Sequence, residues 1–381
     1  MTIDKFSRRG FISGASASLA LGTLPAFGAV NSLGQLAASK GIVFGSALDY
    51  PDKRIFNSSS VAGIYRQQCR QFVMGHQLIL GQNQRSAGSS FSFARADRAV
   101  SFARKSGIPM AGHAAIWHNF APNWLASAVQ KHGAQKIIED HVGKVVGRYR
   151  GQMKYWVVVN EPFDWQKRRS DYIIPTPYAE GLGAEYIDVA FQAAAKADPN
   201  ARLVLNEVGM EHDYPDARRK RKLVVQTIKR LQKKGIPIHA IGIQGHLRPQ
   251  FPFNKSGFRS FLNSVSRLGL KIMITELDVD DNSLPTDIGQ RDKLVAKEIR
   301  AFLDVCLSNK ACDYVMMWGL INKWNWMNLP EQRIPAGMSE FDLRLPRKDG
   351  KPHRPTLYDD ALQPTLAWHA VAQSLQKARA R

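Results

Sequence analysis

Acidic residues are scarce in this chain. Against 53 lysines and arginines stand 32 aspartates and glutamates, giving a formal net charge of +21 over 381 residues. Residues 1–28 contribute +2 of it, Lys5, Arg8 and Arg9 against Asp4, which leaves +19 on the remainder. Cysteine is scarcer still, at three. That excludes a small disulfide-stapled scaffold, and no Cys/His spacing is that of a zinc site, so neither metal nor cofactor is expected. Cys306 and Cys312 lie close enough in sequence to pair in an oxidising compartment, which predicts a Cys306–Cys312 disulfide with Cys69 left over and buried. Long apolar runs are missing too. The best candidate, Phe11 to Leu24, has 14 residues, short of the roughly 20 that span a bilayer. No internal repeat, low-complexity tract or linker interrupts a composition of 44% hydrophobic and 22% charged residues, so a packed core is expected and disorder is not.

The amino-terminal segment is a separate matter. Ser7-Arg8-Arg9-Gly10-Phe11-Ile12 is a twin-arginine pattern, followed by an Ala/Ser/Leu run and the small residues Pro25 to Ala29. It reads as an export signal over 1–28, leaving a single domain over 29–381 in the periplasm or outside the cell, expected to act as a monomer. An exported basic protein meets acidic polysaccharides rather than nucleic acids, so a nucleic-acid-binding reading is disfavoured. The densest basic run, Arg218 to Lys222, opens an apparent helix carrying Leu223, Val224, Ile228 and Leu231. It reads as a solvated helix end, with a binding patch as the alternative, and it lacks the interleaved aromatics of a single-strand platform.

Trp156-Val157-Val158-Val159 has the aromatic and β-branched character of a strand buried on both faces, ending abruptly at Asn160-Glu161-Pro162. Seven further segments share that character: Gly41–Ala47, Phe72–Leu80, Ile108–His113, Arg202–Asn206, Ala240–His246, Ile272–Glu276 and Tyr314–Gly319. Helical patterns lie between them, among them Gln135–Tyr149, Arg218–Lys234 and Arg291–Leu307, and a last one covers Thr365–Lys377. Eight strands alternating with helices predict a single (β/α)8 barrel. In such a barrel the site forms at the carboxyl ends of the strands, where His113, Asn160, Glu161, Asn206, Gln244, His246, Glu276 and Trp318 gather.

Glu161 and Glu276 stand 115 residues apart, each at the end of a buried strand. Alone, either reads as an ordinary ion-pair partner. Together they suggest the carboxylate pair of glycoside hydrolysis, in which one carboxyl protonates the leaving oxygen and the other stays ionised.

Taken together, Gly112-His113 with Trp117-His118, Trp156 to Glu161, Gly242-Ile243-Gln244-Gly245-His246, Ile274-Thr275-Glu276-Leu277-Asp278 and Trp318-Gly319 with Trp326 resemble glycoside hydrolase family 10, the endo-β-1,4-xylanase family. The resemblance runs from about Phe44 to Ala370. It implies a retaining endo-β-1,4-glycosidase acting by double displacement, with Glu161 as acid and then base and Glu276 as nucleophile. His246 would hold Glu276, with Asp278 behind it, and Asn160 would bind the sugar 2-hydroxyl. His113, Trp117, Asn206, Gln244, Trp318 and Trp326 would line the substrate. The Cys306 and Cys312 spacing also resembles a cystine that many members carry.

The departures matter as well. The family's Glu-Asn-x-Met-Lys after the second strand is here His76-Gln77-Leu78-Ile79-Leu80, its Asn-Asp after the fifth is Asn206-Glu207, and an expected Asp after the eighth is Asn322. Lost charge-assisted hydrogen bonds, each worth about 1.5–3 kcal/mol, point to altered glycone recognition. With the basic surface, this predicts a polysaccharide substrate that is xylan or a related decorated or acidic β-glycan. The alternative is a barrel that binds polysaccharide without cutting it.

Overall fold

The computed structural model describes residues 32–48, 57–119, 121–164, 166–328 and 346–381. The expected export signal over 1–28 lies outside them. Eight strands, β1 (Val43–Leu48), β2 (Gln71–Met74), β3 (Met110–Gly112), β4 (Met153–Asn160), β5 (Arg202–Glu207), β6 (Ala240–Ile243), β7 (Lys271–Val279) and β8 (Cys312–Met317), pair in parallel and in chain order. Pairing of β8 with both β7 and β1, through Val43 opposite Tyr314 and Gly45 opposite Met316, closes the ring. The fold is a (β/α)8 barrel.

The strands are nearly continuous apolar runs because both of their faces are covered. Inward-facing Ala47, Val73, Ala111, Tyr155, Val157, Val204, Ala240, Met273 and Met316 fill the barrel interior. Packing there leaves no slack. A Cβ on Gly112 of β3 would collide with the ring of Trp156 of β4, itself 0% exposed, so the bare backbone of glycine is required for the two strands to approach. Helix starts are set by local capping, as where Ser58 Oγ accepts from Val61 N–H and Asp287 Oδ1 from Gln290 N–H. Among the described residues no helix is long and apolar enough to cross a membrane.

Several expectations change. The second strand was expected to run from Phe72 to Leu80, but it ends at Met74, and a short helix, Leu80–Asn83, follows a loop. Leu78 and Ile79 are buried by packing under that loop rather than by sheet pairing, which an apolar run cannot distinguish. The sixth strand ends at Ile243 rather than His246, because Gly245 turns the chain with φ +79°; His246–Leu247 then pairs separately with β7. The run Arg218 to Lys222 is a solvated helix end only in part: Arg218 and Lys222 are exposed and Arg219 half-buried, but two of its cations turn inward. Within the helix Pro215–Lys233, Lys220 and Arg221 share the buried face of Val224 and Ile228. Arg221 donates to the carbonyls of Met210, Glu211 and His212, and Lys220 Nζ lies 2.8 Å from Glu207 Oε1.

The expected Cys306–Cys312 bridge is likewise not formed. Cys306, in the last turn of the helix Ile288–Ser308, and Cys312, which opens β8, are free thiols, as is Cys69. All three are 0% exposed, and burial raises each thiol above its ordinary range, so little thiolate exists to drive exchange.

The buried Lys220–Glu207 pair carries a stability prediction. Glu207 also accepts the N–H groups of Phe163 and Val208, anchoring the loops after β4 and β5. Lys220→Met should strand that carboxylate and cost about 3 kcal/mol. Combining it with Glu207→Gln should recover part of the loss, as measured by urea unfolding of both variants.

Candidate active site

The site grows from the strand ends. β4 delivers Asn160 and Glu161, β5 Asn206, β6 Gln244 just past its end, and β7 Glu276 and Asp278. Successive strand residues face opposite sides, so the polar groups reach the barrel mouth only where the strands stop. Glu161 has φ +51°, a turn that takes its carboxyl away from the β4 line.

Glu276 is 4% exposed and faces two imidazoles, His113 Nε2 at 3.4 Å from Oε1 and His246 Nε2 at 3.5 Å from Oε2. Burial alone would raise its pKa, but the hydrogen bonds and charges of His113 and His246 outweigh burial and bring it down to about 2. Glu276 is therefore a buried carboxylate that stays ionised. His246 is held in turn from behind, with Nδ1 2.6 Å from Asp278 Oδ1. Burial opposes charge on that ring, yet Asp278 and then Glu276 lift it to about 10. The other oxygen of Asp278 accepts from Trp326 Nε1 at 2.6 Å. His113 donates through Nδ1 to the carbonyl of Gly75 at 3.0 Å, which aims Nε2 at Glu276.

The second carboxyl is held by neutral donors. Trp117 Nε1 lies 2.9 Å from Glu161 Oε2, and Gln244 Nε2 lies 2.8 Å from Oε1. Glu161 is 8% exposed. A relay of amides links the two glutamates. Asn206 Nδ2 donates to Glu276 Oε1 at 2.6 Å and to Asn160 Oδ1 at 2.7 Å, and Gln244 Nε2 also reaches Asn160 Oδ1 at 3.3 Å. With its oxygen accepting twice, Asn160 must turn its Nδ2 the other way. That nitrogen is buried without a partner, a donor ready for a bound hydroxyl.

Every expected site residue is drawn into this cluster, but not all in the expected way. Asn206 and Gln244 were expected to line the substrate. They are 0% and 1% exposed and commit their amide hydrogens inside the protein, so they position Glu276, Asn160 and Glu161. Trp117, Trp318 and Trp326 do form a wall, with His113 edge-on to Trp318 at 5.2 Å and Trp326 packed on His246 at 5.2 Å. The segment that departs after β2 adds to it. His76 stacks on Trp117 at 5.8 Å and meets Trp318 edge-on at 6.5 Å. The other two departures sit in the framework: Glu207 binds Lys220, and Asn322, 1% exposed, accepts the N–H of Thr356 at 2.8 Å.

Thr275, Asn325 and Glu211 were missed from sequence. Thr275 Oγ1 donates to Asn206 Oδ1 at 2.7 Å, Asn325 Nδ2 donates to the carbonyl of Trp318 at 3.0 Å, and Glu211 Oε1 accepts from Gly245 N–H at 2.8 Å. Only the first, next to Glu276, left a signal in the sequence. Gly242 leaves room for the relay, since a Cβ there would overlap Asn206 Oδ1. Gly242→Ala should displace Asn206 and lower kcat by about a hundredfold with little change in KM, as read from steady-state kinetics.

A family model for glycosyl hydrolase family 10 matches residues 32–374. Endo-1,4-beta-xylanase B of Thermotoga neapolitana is 34% identical over 238 residues, 62% of this chain and 66% of that protein. Endo-1,4-beta-xylanase of Agaricus bisporus is 30% identical over 303 residues, 78% of this chain and 85% of that one. The chain thus spans just under two thirds of the first relative and more of the second. Among solved structures, native xylanase 10B from Thermotoga maritima superposes with a TM-score of 0.75 at 26% identity, covering 91% of this chain and 98% of that one. Xylanase 10B from Thermotoga petrophila RKU-1, in complex with xylobiose, gives 0.76 at 26% identity, covering 91% and 97%.

Proposed function

Because the chain belongs to glycosyl hydrolase family 10, we propose that it is a retaining endo-β-1,4-glycosidase that cleaves a polysaccharide of the xylan type. The observation that carries this reading is the unlike setting of two buried carboxyls. Glu276 is kept ionised between His113 and His246, and Glu161 is held by the neutral donors of Trp117 and Gln244. One carboxylate and one proton carrier is the division of labour that glycosyl transfer to an enzyme needs.

In the first step Glu161 gives its proton to the glycosidic oxygen while Glu276 attacks the anomeric carbon. The bond to the leaving sugar breaks and a glycosyl ester forms. In the second, Glu161 takes a proton from water, which attacks the same carbon and frees Glu276. Two inversions give net retention. Asn160 Nδ2 meets the 2-hydroxyl of the sugar at the bond cleaved, and Trp318 and Trp326 offer it their faces. Export through the twin-arginine pattern of residues 1–28 places this chemistry in the periplasm or outside the cell, acting as a monomer. The +19 balance and the altered His76–Leu80 segment favour a decorated or acidic β-glycan over plain xylan.

The test is reducing-end release from xylan and aryl xylobioside, with the product anomer followed by NMR. Release with a first-formed β-anomer is expected. Binding of both substrates without turnover would overturn the reading in favour of a non-catalytic barrel.

A further inference from the structure

The turn after β2 touches the supports of both glutamates. At Gly75 the chain leaves the sheet, and the carbonyl there accepts from His113 Nδ1 at 3.0 Å, the contact that aims His113 Nε2 at Glu276. Leu78 and Ile79, 0% and 1% exposed, pin the turn from its other side. The carbonyl of Ile79 also accepts the side-chain amide of Asn83 at 3.3 Å, in the helix that follows. His76 sits between these anchors, buried.

The ring of His76 lies nearly parallel to that of Trp117, with centroids 5.8 Å apart and 18° between the planes. Trp117 belongs to a two-residue strand, Ile116–Trp117, that pairs with the end of β4 and sets Trp117 opposite Asn160, beside the acid. Its Nε1 lies 2.9 Å from Glu161 Oε2. The backbone thus fixes where the indole starts, and two side-chain torsions fix where its N–H points. An indole N–H lies in the plane of its ring, so tilting the ring swings the hydrogen off the carboxylate. Among the described residues, the other rings against Trp117 meet it at steep angles, His113 at 64° and His118 at 81°. An edge contact restrains a ring along one line, whereas a parallel stack restrains its whole plane. Trp318 meets His76 edge-on in turn, at 6.5 Å, which keeps the stack in place.

We propose that His76 is a positioning residue for the general acid: stacked on Trp117, it holds the indole N–H on Glu161 and so keeps that carboxyl where the glycosidic oxygen will be. Misplacing a reacting group by about 1 Å can cost a hundredfold, so a ring that acts only through its neighbour can govern the rate. The proposal rests on the glycosidase reading and deepens it, because it gives the turn after β2 a part in proton transfer.

The test is a series of aryl β-xylobiosides whose leaving groups run from dinitrophenolate, which departs without a proton, to phenolate, which needs one. Across it kcat/KM reports the first, acid-assisted step. Every member carries the same sugar, so a lost sugar contact lowers the whole series alike, whereas a misplaced acid lowers only the members that need a proton. His76→Ala should reduce kcat/KM about tenfold on the phenyl member and by less than about twofold on the dinitrophenyl member, steepening the dependence on leaving-group pKa. His76→Phe, which keeps a flat ring over Trp117, should restore the wild-type slope. Trp117→Phe removes the N–H and keeps a ring, and it should steepen the slope with His76 in place. An unchanged slope in His76→Ala, with or without an equal fall across the series, overturns the proposal, as does a steepened slope that phenylalanine fails to restore. A wild-type slope in Trp117→Phe overturns it too, whatever the folding of the alanine variant. Failure of the wild-type protein to hydrolyse the dinitrophenyl member would instead refute the glycosidase reading itself.

Discussion

Glu276→Ala is expected to reduce turnover of xylan by roughly 10^5-fold while leaving the fold intact. The carboxylate is the group that would form the new bond, and none of its neighbours can replace it. His113 and His246 are held as donors toward it, and Asn206 presents only N–H groups. Removing the side chain opens a space beside two histidines that have lost their counter-charge, so a small anion such as azide should enter and attack the sugar in place of Glu276. The product would then be a glycosyl azide of inverted configuration. Glu161→Ala should behave differently. An activated aryl leaving group needs little protonation, so its departure should survive far better than that of a sugar, with turnover limited by the unassisted water step. Recovery of inverted azide product from Glu276→Ala, and its absence from Glu161→Ala, would be read by NMR. Equal losses on aryl and sugar leaving groups in the Glu161 variant would deny it the acid role.

His246→Asn should cost about a hundredfold in kcat and change the shape of the pH profile. In the wild-type protein Glu276 ionises at about 2, so its protonation cannot limit the rate at mildly acidic pH. Asparagine keeps a hydrogen bond and removes the positive charge. Burial then acts with less opposition, the pKa of Glu276 rises, and the acid limb of kcat moves to higher pH. A limb unmoved by the substitution would show that His113 alone keeps the nucleophile ionised.

The same shifts govern stability. Glu276 is depressed in the folded chain, so its contribution is complete above the unfolded carboxylate value near ~4.3 and is lost as pH falls through about 2. His246 is raised, so its contribution is complete below the unfolded value near ~6.5 and is lost as pH rises through about 10. The two groups face each other at 3.5 Å. Thermal unfolding should therefore show both contributions intact between about pH 4.5 and 6.5, with His246→Asn flattening the loss on the alkaline side.

Much of this site was legible in the sequence because a barrel couples sequence position to spatial position. A buried run that stops at a carboxylate puts that carboxylate on the rim, so Asn160, Glu161, Glu276 and Asp278 could be named from the ends of two strands. Turns were less legible. Phe72 to Leu80 reads as one apolar segment, yet the strand stops at Met74 and the rest is buried by a loop, since hydrophobicity records burial without recording what covers it.

Residue types thus determined by themselves the number of barrel strands, their order and which rim residues could do chemistry, because strand periodicity and polar strand ends are local properties. Only the tertiary structure decided what each polar group touches. Lys220 and Arg221, unremarkable members of a basic run, prove to be buried anchors. Asn206 and Gln244, of the right type to meet a sugar, spend their hydrogens on the two glutamates. Glu211, silent in the chain, proves to hold the turn after β6 by accepting the N–H of Gly245. Hydrogen bonds and charge depend on distances of a few ångström between residues far apart in sequence, and only closure of the barrel sets those distances.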